Sequence, residues 1–261
     1  MTLMLAVDSI GLIGPGLSDW RTGSAALADG ATYVAARTVI PLPAVLPSAE
    51  RRRAGRVLRL AIAAASEAAG TRARELATVF TSSGGDGENC HLLCLALATE
   101  AREISPTRFM NSVHNAAAGY WHIAAGSMQP ATALCAHDGS FSAGLLEAVA
   151  QILETGKPVL LVAYDSDYPE PLRALRPVPD AFATALVLAP TPSATSIAQL
   201  ELQLSDEPAS TLAEPAFESL RNTIPAARCL PLLQILARAR GGNCALDYLD
   251  DLRLRVQVTQ C

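Results

Sequence analysis

Apolar positions along the chain follow two different periods. The segments "LMLAVDSIGLIG" from Leu3 and "PVLLVAYDS" from Pro158 are apolar almost without interruption, which is typical of strands that are covered on both faces. Residues 49–69 instead repeat apolar side chains every three or four positions, which is the spacing of an amphipathic helix. Strands and helices alternate along the chain, so the pattern predicts a layered α/β fold.

The same patterns give bounds for each predicted element. Ser18 is expected to cap the first helix, and Gly156 ends the helix that precedes the strand at Pro158. The predicted strands are 3–14, 77–83, 132–136, 158–166, 182–190, 196–205, 244–249 and 252–259. The predicted helices are 18–28, 49–69, 89–103, 111–126, 142–154, 212–222 and 226–240.

Composition restricts the class of protein. Half of the 261 residues are hydrophobic and 17% are charged, which is the composition of a globular chain with a large core. The net charge is −5 and Lys157 is the sole lysine, so we expect no nucleic acid as a partner. Uncharged runs such as residues 109–137 are interrupted by polar residues, unlike the roughly 18 or more predominantly apolar residues of a membrane span, so we expect no membrane span.

Cysteines and glycines indicate neither export nor a bound cofactor. No Lys or Arg precedes the apolar N-terminus, unlike a secretory signal, so the six scattered cysteines are expected to be reduced thiols. Pro15 stands in the first glycine turn where a dinucleotide site needs a backbone donor, and "SSGGDG" lacks the Lys-Ser/Thr of a P-loop. Cys90, His91 and Cys94 have no second pair nearby. We therefore expect no metal and no cofactor.

The segment "TALCAHDGSFSAG", residues 132–144, predicts a strand, a sharp turn and a helix, which is where many enzymes hold a nucleophile. Cys135 and His137 lie two residues apart, on one side of a strand, so a thiolate–imidazole pair is one candidate. "GSFSAG" departs from the hydrolase motif G-x-S-x-G because Ser140 stands where glycine is required. His114 and His122 are core histidines or proton-transfer groups, and spacing alone does not choose between them.

These segments together resemble the β-ketoacyl synthases of the thiolase-like superfamily. "VDSIGLIGPGLSDWRTGSAALADG" resembles the opening strand and turn of the family, and "VFTSSGGDG" resembles its second strand and glycine turn. Residues 111–166 follow the central block of these enzymes, with "QP" before the strand and glycine after the helix. The resemblance implies a thiolase-like layered α/β sandwich with an N-terminal ketosynthase-like region at 1–204. Residues 205–261 would be a strongly shortened second half, a C-terminal remnant packed on the same domain.

The resemblance fails at the expected active site. Counted forward from Pro130, the cysteine nucleophile of the family falls at Asp138, and counted back from the end of the helix it falls at Gly139. Cys135 comes three or four residues too early. The second half of the family supplies two catalytic histidines, yet no histidine follows His137. We therefore predict no catalytic residue, and a helix-capping role for Asp138 that would be favoured by ~0.3–1 kcal/mol.

A ketosynthase-like chain without these groups resembles the short chain-length-factor proteins of bacterial aryl polyene and xanthomonadin-type clusters. That resemblance implies a non-catalytic, cytoplasmic subunit that forms a heterodimer with an active β-ketoacyl-ACP synthase. It would shape the acyl tunnel in aryl polyene or related polyketide or fatty acid biosynthesis, and would meet the acyl carrier protein only indirectly. Residues 132–136 would lie at the subunit interface. The candidates for the interface or the tunnel are Phe109, Met110, His114, Cys135, His137, Asp138 and Phe141.

Two alternatives stay open. One is a stand-alone malonyl-ACP decarboxylase or acyltransferase that uses His137, Asp138 or Ser140, although relatives of this kind keep the two histidines. The other is a homodimeric scaffold with no role in the tunnel. Release of CO₂ from malonyl carrier protein would identify the first. A chain that is stable alone and elutes apart from a co-expressed ketosynthase would favour the second.

Overall fold

One mixed sheet organises the protein. The computed structural model describes residues 3–30 and 32–261, and its eight strands lie in the order β3-β2-β4-β5-β1-β6-β8-β7. Strand β2 pairs in parallel with β3 and with β4, and the other pairs are antiparallel. The strands are β1 Leu3–Ile13, β2 Ala77–Thr81, β3 Ala131–Leu134, β4 Val159–Asp165, β5 Phe182–Ala189, β6 Ala198–Ser205, β7 Gly242–Asp247 and β8 Arg253–Gln260.

Helices cover both faces of this sheet. They are α1 Trp20–Asp29, α2 Ser48–Arg53, α3 Arg56–Ala69, α4 Gly87–Ala98, α5 Pro106–Met110, α6 Ala116–Ala125, α7 Ser140–Thr155, α8 Leu172–Leu175, α9 Pro215–Thr223 and α10 Leu230–Arg238. Helices α3 and α6 enclose one core with the sheet, and α1, α7, α9 and α10 enclose the other. The predicted layered α/β fold is confirmed.

Strand β4 shows why its sequence carries no alternation of polar and apolar residues. Val159 and Leu161 belong to the core on the α7 side, whereas Leu160 and Val162 belong to the core on the α3 side. Since successive side chains of a strand point to opposite faces, a strand between two helical layers needs apolar residues at every position.

Beyond β1 in the strand order, the sheet is apolar on one face and polar on the other. In β6 and β8, Leu202 and Val256 are buried beneath α10 and its neighbours, but the opposite face carries polar pairs. Glu201 lies opposite Gln257, and the adjacent pair is Gln203 with Arg255. This end of the sheet is therefore amphipathic and suited to water on one face. Strand β6 crosses the division expected at residue 204, and that division stays a prediction.

Several predicted helices differ from those observed, and three of the differences have a clear physical reason. The helix expected at 49–69 is broken, because Ala54 is extended and Gly55 is a poor helix former. The helix expected at 111–126 begins at Ala116, because the buried Asn111 side chain donates to the Arg53 carbonyl at 3.0 Å instead. The first helix is capped by Asp19, not by Ser18 as predicted, since Asp19 Oδ1 accepts from the Thr22 amide at 2.7 Å.

Within residues 3–30 and 32–261, none of the helices combines the length and the apolarity that crossing a membrane requires.

Candidate functional site

The turn between β3 and α7 contains the two positions, 138 and 139, at which the resemblance places the nucleophile of the family. It lies where the carboxyl ends of the parallel strands β2, β3 and β4 meet, which is the usual place for ligands in such sheets. Residues His137–Gly139 form one 3₁₀ turn that leads directly into α7. Two open clefts of about 440 and 820 Å³ flank this turn, and both are lined by His137, Asp138 and Arg228.

Asp138 is held between two guanidinium groups. Arg176 Nη2 donates to Asp138 Oδ1 at 2.6 Å, and Arg228 Nη2 donates to Asp138 Oδ2 at 3.0 Å. Both carboxylate oxygens are therefore engaged in charge-assisted hydrogen bonds. The expected capping role was wrong, because the residue that precedes α7 is Gly139 and no side chain caps the helix. The carboxylate is an ion-pair partner.

Gly139 has no room for a side chain. A Cβ atom at this position would lie 2.1 Å from the carbonyl oxygen of Tyr248 and 2.9 Å from its carbonyl carbon. These are backbone atoms of the connection between β7 and β8, and they cannot rotate away as a flexible side chain would. A nucleophile therefore cannot stand at position 139 unless this connection moves.

Cys135 and His137 do not form the candidate thiolate–imidazole pair. The Cys135 thiol donates to the Ser83 carbonyl at 3.0 Å, while the His137 ring contacts the guanidinium of Arg176. The backbone of His137 adopts a φ of +49°, a conformation that is uncommon for residues other than glycine. That conformation turns the imidazole outward, and its side chain is 73% exposed.

Ser140 is used within the turn. Its buried hydroxyl donates to the His137 carbonyl at 2.7 Å and accepts from the Ala136 amide at 3.1 Å. Both bonds close the backbone between β3 and α7. This hydroxyl is therefore committed to the turn, which disfavours the alternative in which Ser140 acts as a catalytic group.

A second cluster lies beneath the turn and was missed by sequence reasoning. The buried Asp165, the last residue of β4, accepts from the Ser82 hydroxyl at 3.1 Å, from the Ser83 amide at 2.9 Å and from the Ser83 hydroxyl at 2.8 Å. Burial raises the pKa of Asp165 to about 6, while the bonds from Ser83 and Ser82 act in the opposite direction. The available signal was a lone aspartate at the end of an otherwise apolar strand.

Asp165 makes the stability of the protein depend on pH. Its folded-state pKa of about 6 lies above the ordinary value of 3.8, so the folded protein binds more protons than the unfolded chain between these values. The free energy of unfolding therefore falls as the pH rises from about 4 to about 6. We expect Asp165→Asn to remove this slope, measured by urea unfolding at pH 4, 5, 6 and 7. Parallel pH profiles of the wild type and the variant would contradict this role of Asp165. The control is Asp29→Asn, which changes an exposed aspartate at the end of α1.

Comparison with known proteins decides the family. The family model described as β-ketoacyl synthase, N-terminal domain, matches residues 21–246. The chain belongs to this β-ketoacyl synthase family. None of the curated proteins that were compared with it matches its sequence.

Solved structures support the fold of this ketosynthase-family chain. A chain in the structure of the ketosynthase ApeO in complex with its chain length factor ApeC, from Xenorhabdus doucetiae, has a TM-score of 0.75 and 24% identity, with 98% of this chain and 99% of that chain covered. The ishigamide ketosynthase/chain length factor gives a TM-score of 0.71 at 12% identity, with coverages of 98% and 99%. A β-ketoacyl synthase from Burkholderia phymatum STM815 gives a TM-score of 0.60 at 15% identity, with coverages of 87% and 71%.

The remaining candidates of this ketosynthase-family chain fall in three different environments. Phe109 and Met110, on α5, are 67% and 50% exposed. The exposed His114 lines a cavity of about 210 Å³ beside the glycine turn that follows β2. Phe141 is 2% exposed and belongs to the core on the α7 side. The sequence placed these residues together at one tunnel, whereas the structure places Phe141 inside the chain.

Strand β3 and the segment between β2 and β3 form an unusual surface. Strand β3 lies at the end of the described sheet, so one of its edges has no neighbouring strand. The segment carries eight exposed large apolar side chains, Leu95, Leu97, Ile104, Phe109, Met110, Val113, Ile123 and Met128. Three of them, Met110, Val113 and Ile123, line a shallow cavity of about 260 Å³. An open strand edge beside apolar surface is characteristic of an interaction site.

Proposed function

We propose that this chain is a non-catalytic chain length factor. In this role it pairs with a catalytic β-ketoacyl-ACP synthase and shapes the tunnel that holds the growing acyl chain. The observation that carries the proposal is the state of the nucleophile position. Asp138 is bound by two arginines, and a side chain at position 139 would collide with backbone atoms. An ion-paired carboxylate is a poor nucleophile toward a thioester, so the condensation needs a cysteine from another subunit.

The surface around β3 supports pairing with another subunit. An unpaired strand edge can extend its sheet across an interface, and apolar surface next to it favours burial. Residues 132–136 include most of this edge, and Phe109 and Met110 belong to the adjoining apolar surface. This chain would therefore use the face formed by β3 and α4–α6 against the ketosynthase.

The similar structures support the identity of the partner and the product class. Two of them are described as complexes or pairs of a ketosynthase with a chain length factor, and the matched chains have nearly the length of this one. We infer that the partner of this chain is a ketosynthase of an aryl polyene or related polyketide or fatty acid system. In this arrangement the acyl carrier protein delivers substrate to the ketosynthase and meets this chain only indirectly. A cytoplasmic location belongs to the same proposal.

Within this proposal, the exposed candidates contact the partner or its acyl chain. Phe109 and Met110 are large, apolar and exposed, so either can form the wall that ends the tunnel. His114, Cys135, His137 and Asp138 remain candidates for the interface. Phe141 supports the site from within, because its ring is already buried in this chain.

Co-expression tests the proposed pairing. This chain would be produced together with the ketosynthase encoded beside it, with the affinity tag on the ketosynthase alone. We expect both chains to elute together in a 1:1 ratio, because the β3 edge and the apolar surface are buried only in the heterodimer. Separate elution, with this chain stable alone, would contradict the proposal. A ketosynthase from an unrelated pathway is the control for unspecific apolar association.

A further inference from the structure

A continuous chain of ion pairs passes through the former nucleophile position. Besides its contact with Asp138, Arg228 reaches Asp247 at 3.3 Å. Asp247 also pairs with Arg221 at 3.0 Å, and Arg221 pairs with Glu218 at 2.7 Å. We name this set the ion-pair cluster, and its members are Arg176, Asp138, Arg228, Asp247, Arg221 and Glu218. Through it, the turn after β3 is connected to the segment after α8, to the 3₁₀ segment Pro225–Cys229, to α9 and to the end of β7.

The cluster is only partly shielded from water, because Asp138 lines two open clefts and its side chain is 38% exposed. The side chain of Arg221 is 9% exposed, that of Asp247 18% and that of Arg228 22%. The Arg221 guanidinium holds the pKa of Glu218 down at about 2, so this carboxylate remains charged over the physiological range. Its more buried ion pairs are screened by salt less than fully exposed pairs are. Removal of the Asp138 carboxylate would leave the partly buried Arg176 without its carboxylate partner, which is costly, whereas Arg228 would keep Asp247.

The turn beside the cluster needs such support. His137 adopts its positive φ, and backbone conformations of this kind persist only where the surroundings hold them. Strand β3 is four residues long and pairs with β2 alone in the described sheet. Its carboxyl end is continued by Cys135 and Ala136 into the turn, where Arg176 and Arg228 tie Asp138 to two other segments.

We infer that Asp138 is a positioning residue for subunit recognition. By pairing with Arg176 and Arg228 it fixes the carboxyl end of edge strand β3 in the conformation that the ketosynthase subunit binds. Asp138, one of the two positions at which the resemblance places the nucleophile of the family, thus has a structural purpose in this chain. The inference rests on the proposed function for the identity of the partner, but the effect of Asp138 on β3 is a property of this chain alone.

Asp138→Asn tests the inference in two measurements. In the lone chain, we expect amide hydrogen exchange at residues 133–136 to accelerate at least tenfold, while exchange in β4 and β5 is unchanged. In the pair, we expect the affinity for the ketosynthase to fall at least tenfold. Arg72→Gln is the matched control, because it removes the ion pair of Arg72 with Asp8 at 2.8 Å, outside the cluster. Asp138→Glu, which keeps the carboxylate, should restore part of the affinity.

The two measurements separate the possible failures. Unchanged exchange at 133–136 in Asp138→Asn overturns the inference, whether or not a ketosynthase binds. Faster exchange with unchanged affinity also overturns it, because β3 would then not need to be fixed for recognition. If the wild-type chain binds no ketosynthase, the proposed function fails together with the recognition step, while the exchange data still decide whether Asp138 orders β3. An equal loss of affinity in Arg72→Gln would show that general destabilisation is the cause, which contradicts the inference.

Discussion

Replacing Phe141 with alanine is expected to lower the free energy of unfolding by about 3–5 kcal/mol. Its ring is 2% exposed and shares the core on the α7 side with Leu145 and Leu161. Truncation therefore leaves a cavity between α7 and the sheet that rigid neighbours fill only in part. Urea unfolding of the lone chain measures the effect, and any change in product length would be masked by loss of folded protein.

Phe109→Ala is the matched control for Phe141→Ala. The same atoms are removed, but the ring is 67% exposed on α5, so the free energy of unfolding should stay within about 0.5 kcal/mol of the wild type. In the complex with the ketosynthase, this variant should yield a longer product if Phe109 ends the tunnel. Equal stability of the two variants would contradict the assignment of Phe141 to the core. An unchanged product length would remove Phe109 from the tunnel.

Gly139→Ala is expected to have the second large effect, a loss of about 3 kcal/mol or more in the free energy of unfolding. The added methyl group would lie 2.1 Å from the Tyr248 carbonyl oxygen, so either the turn before α7 or the connection between β7 and β8 must move. Movement of either also disturbs the hydrogen bond that the Ser142 hydroxyl donates to the Asp247 carbonyl at 2.6 Å. Thermal unfolding of the lone chain measures the loss.

Gly119→Ala is the matched control for this change. Gly119 lies inside α6, and a Cβ there meets nothing within 4 Å beyond the helix itself. Alanine is the better helix former by about 1 kcal/mol, so this variant should be as stable as the wild type or more stable. If Gly139→Ala unfolds at the same temperature as Gly119→Ala, the close approach of Tyr248 does not hold in solution, and position 139 is open to a side chain.

The sequence predicts the strands well because burial on both faces leaves a local signal. Every position of β4 is apolar up to its final aspartate, so its existence and approximate bounds follow from the pattern alone. The single helix expected at 49–69 was wrong, because the observed chain breaks between Arg53 and Arg56. The break after Arg53 is stabilised by the Asn111 side chain, which bonds the Arg53 carbonyl from 58 residues further along the chain. Periodicity does not report a contact of this kind.

At the candidate site, too, the sequence shows which residues are present but not which distant residues they contact. The absence of a cysteine at positions 138 and 139 is visible in the sequence. The partners of Asp138 lie 38 and 90 residues away, and neither Arg176 nor Arg228 belongs to a motif. Phe141 was assigned to the tunnel because it follows the nucleophile position, yet only the direction in which α7 packs shows that the ring points into the core.

Intact-mass analysis of the reconstituted complex shows which of the two chains carries the acyl group during condensation, and so tests whether this chain is non-catalytic. The heterodimer would be mixed with an excess of acyl carrier protein that bears an acyl group, stopped with acid within one turnover, and both chains weighed. We expect the acyl mass on the ketosynthase chain and none on this chain, because Asp138 is bound by two guanidinium groups and Gly139 has no side chain. An acyl adduct on this chain that forms and decays at the rate of turnover would contradict it.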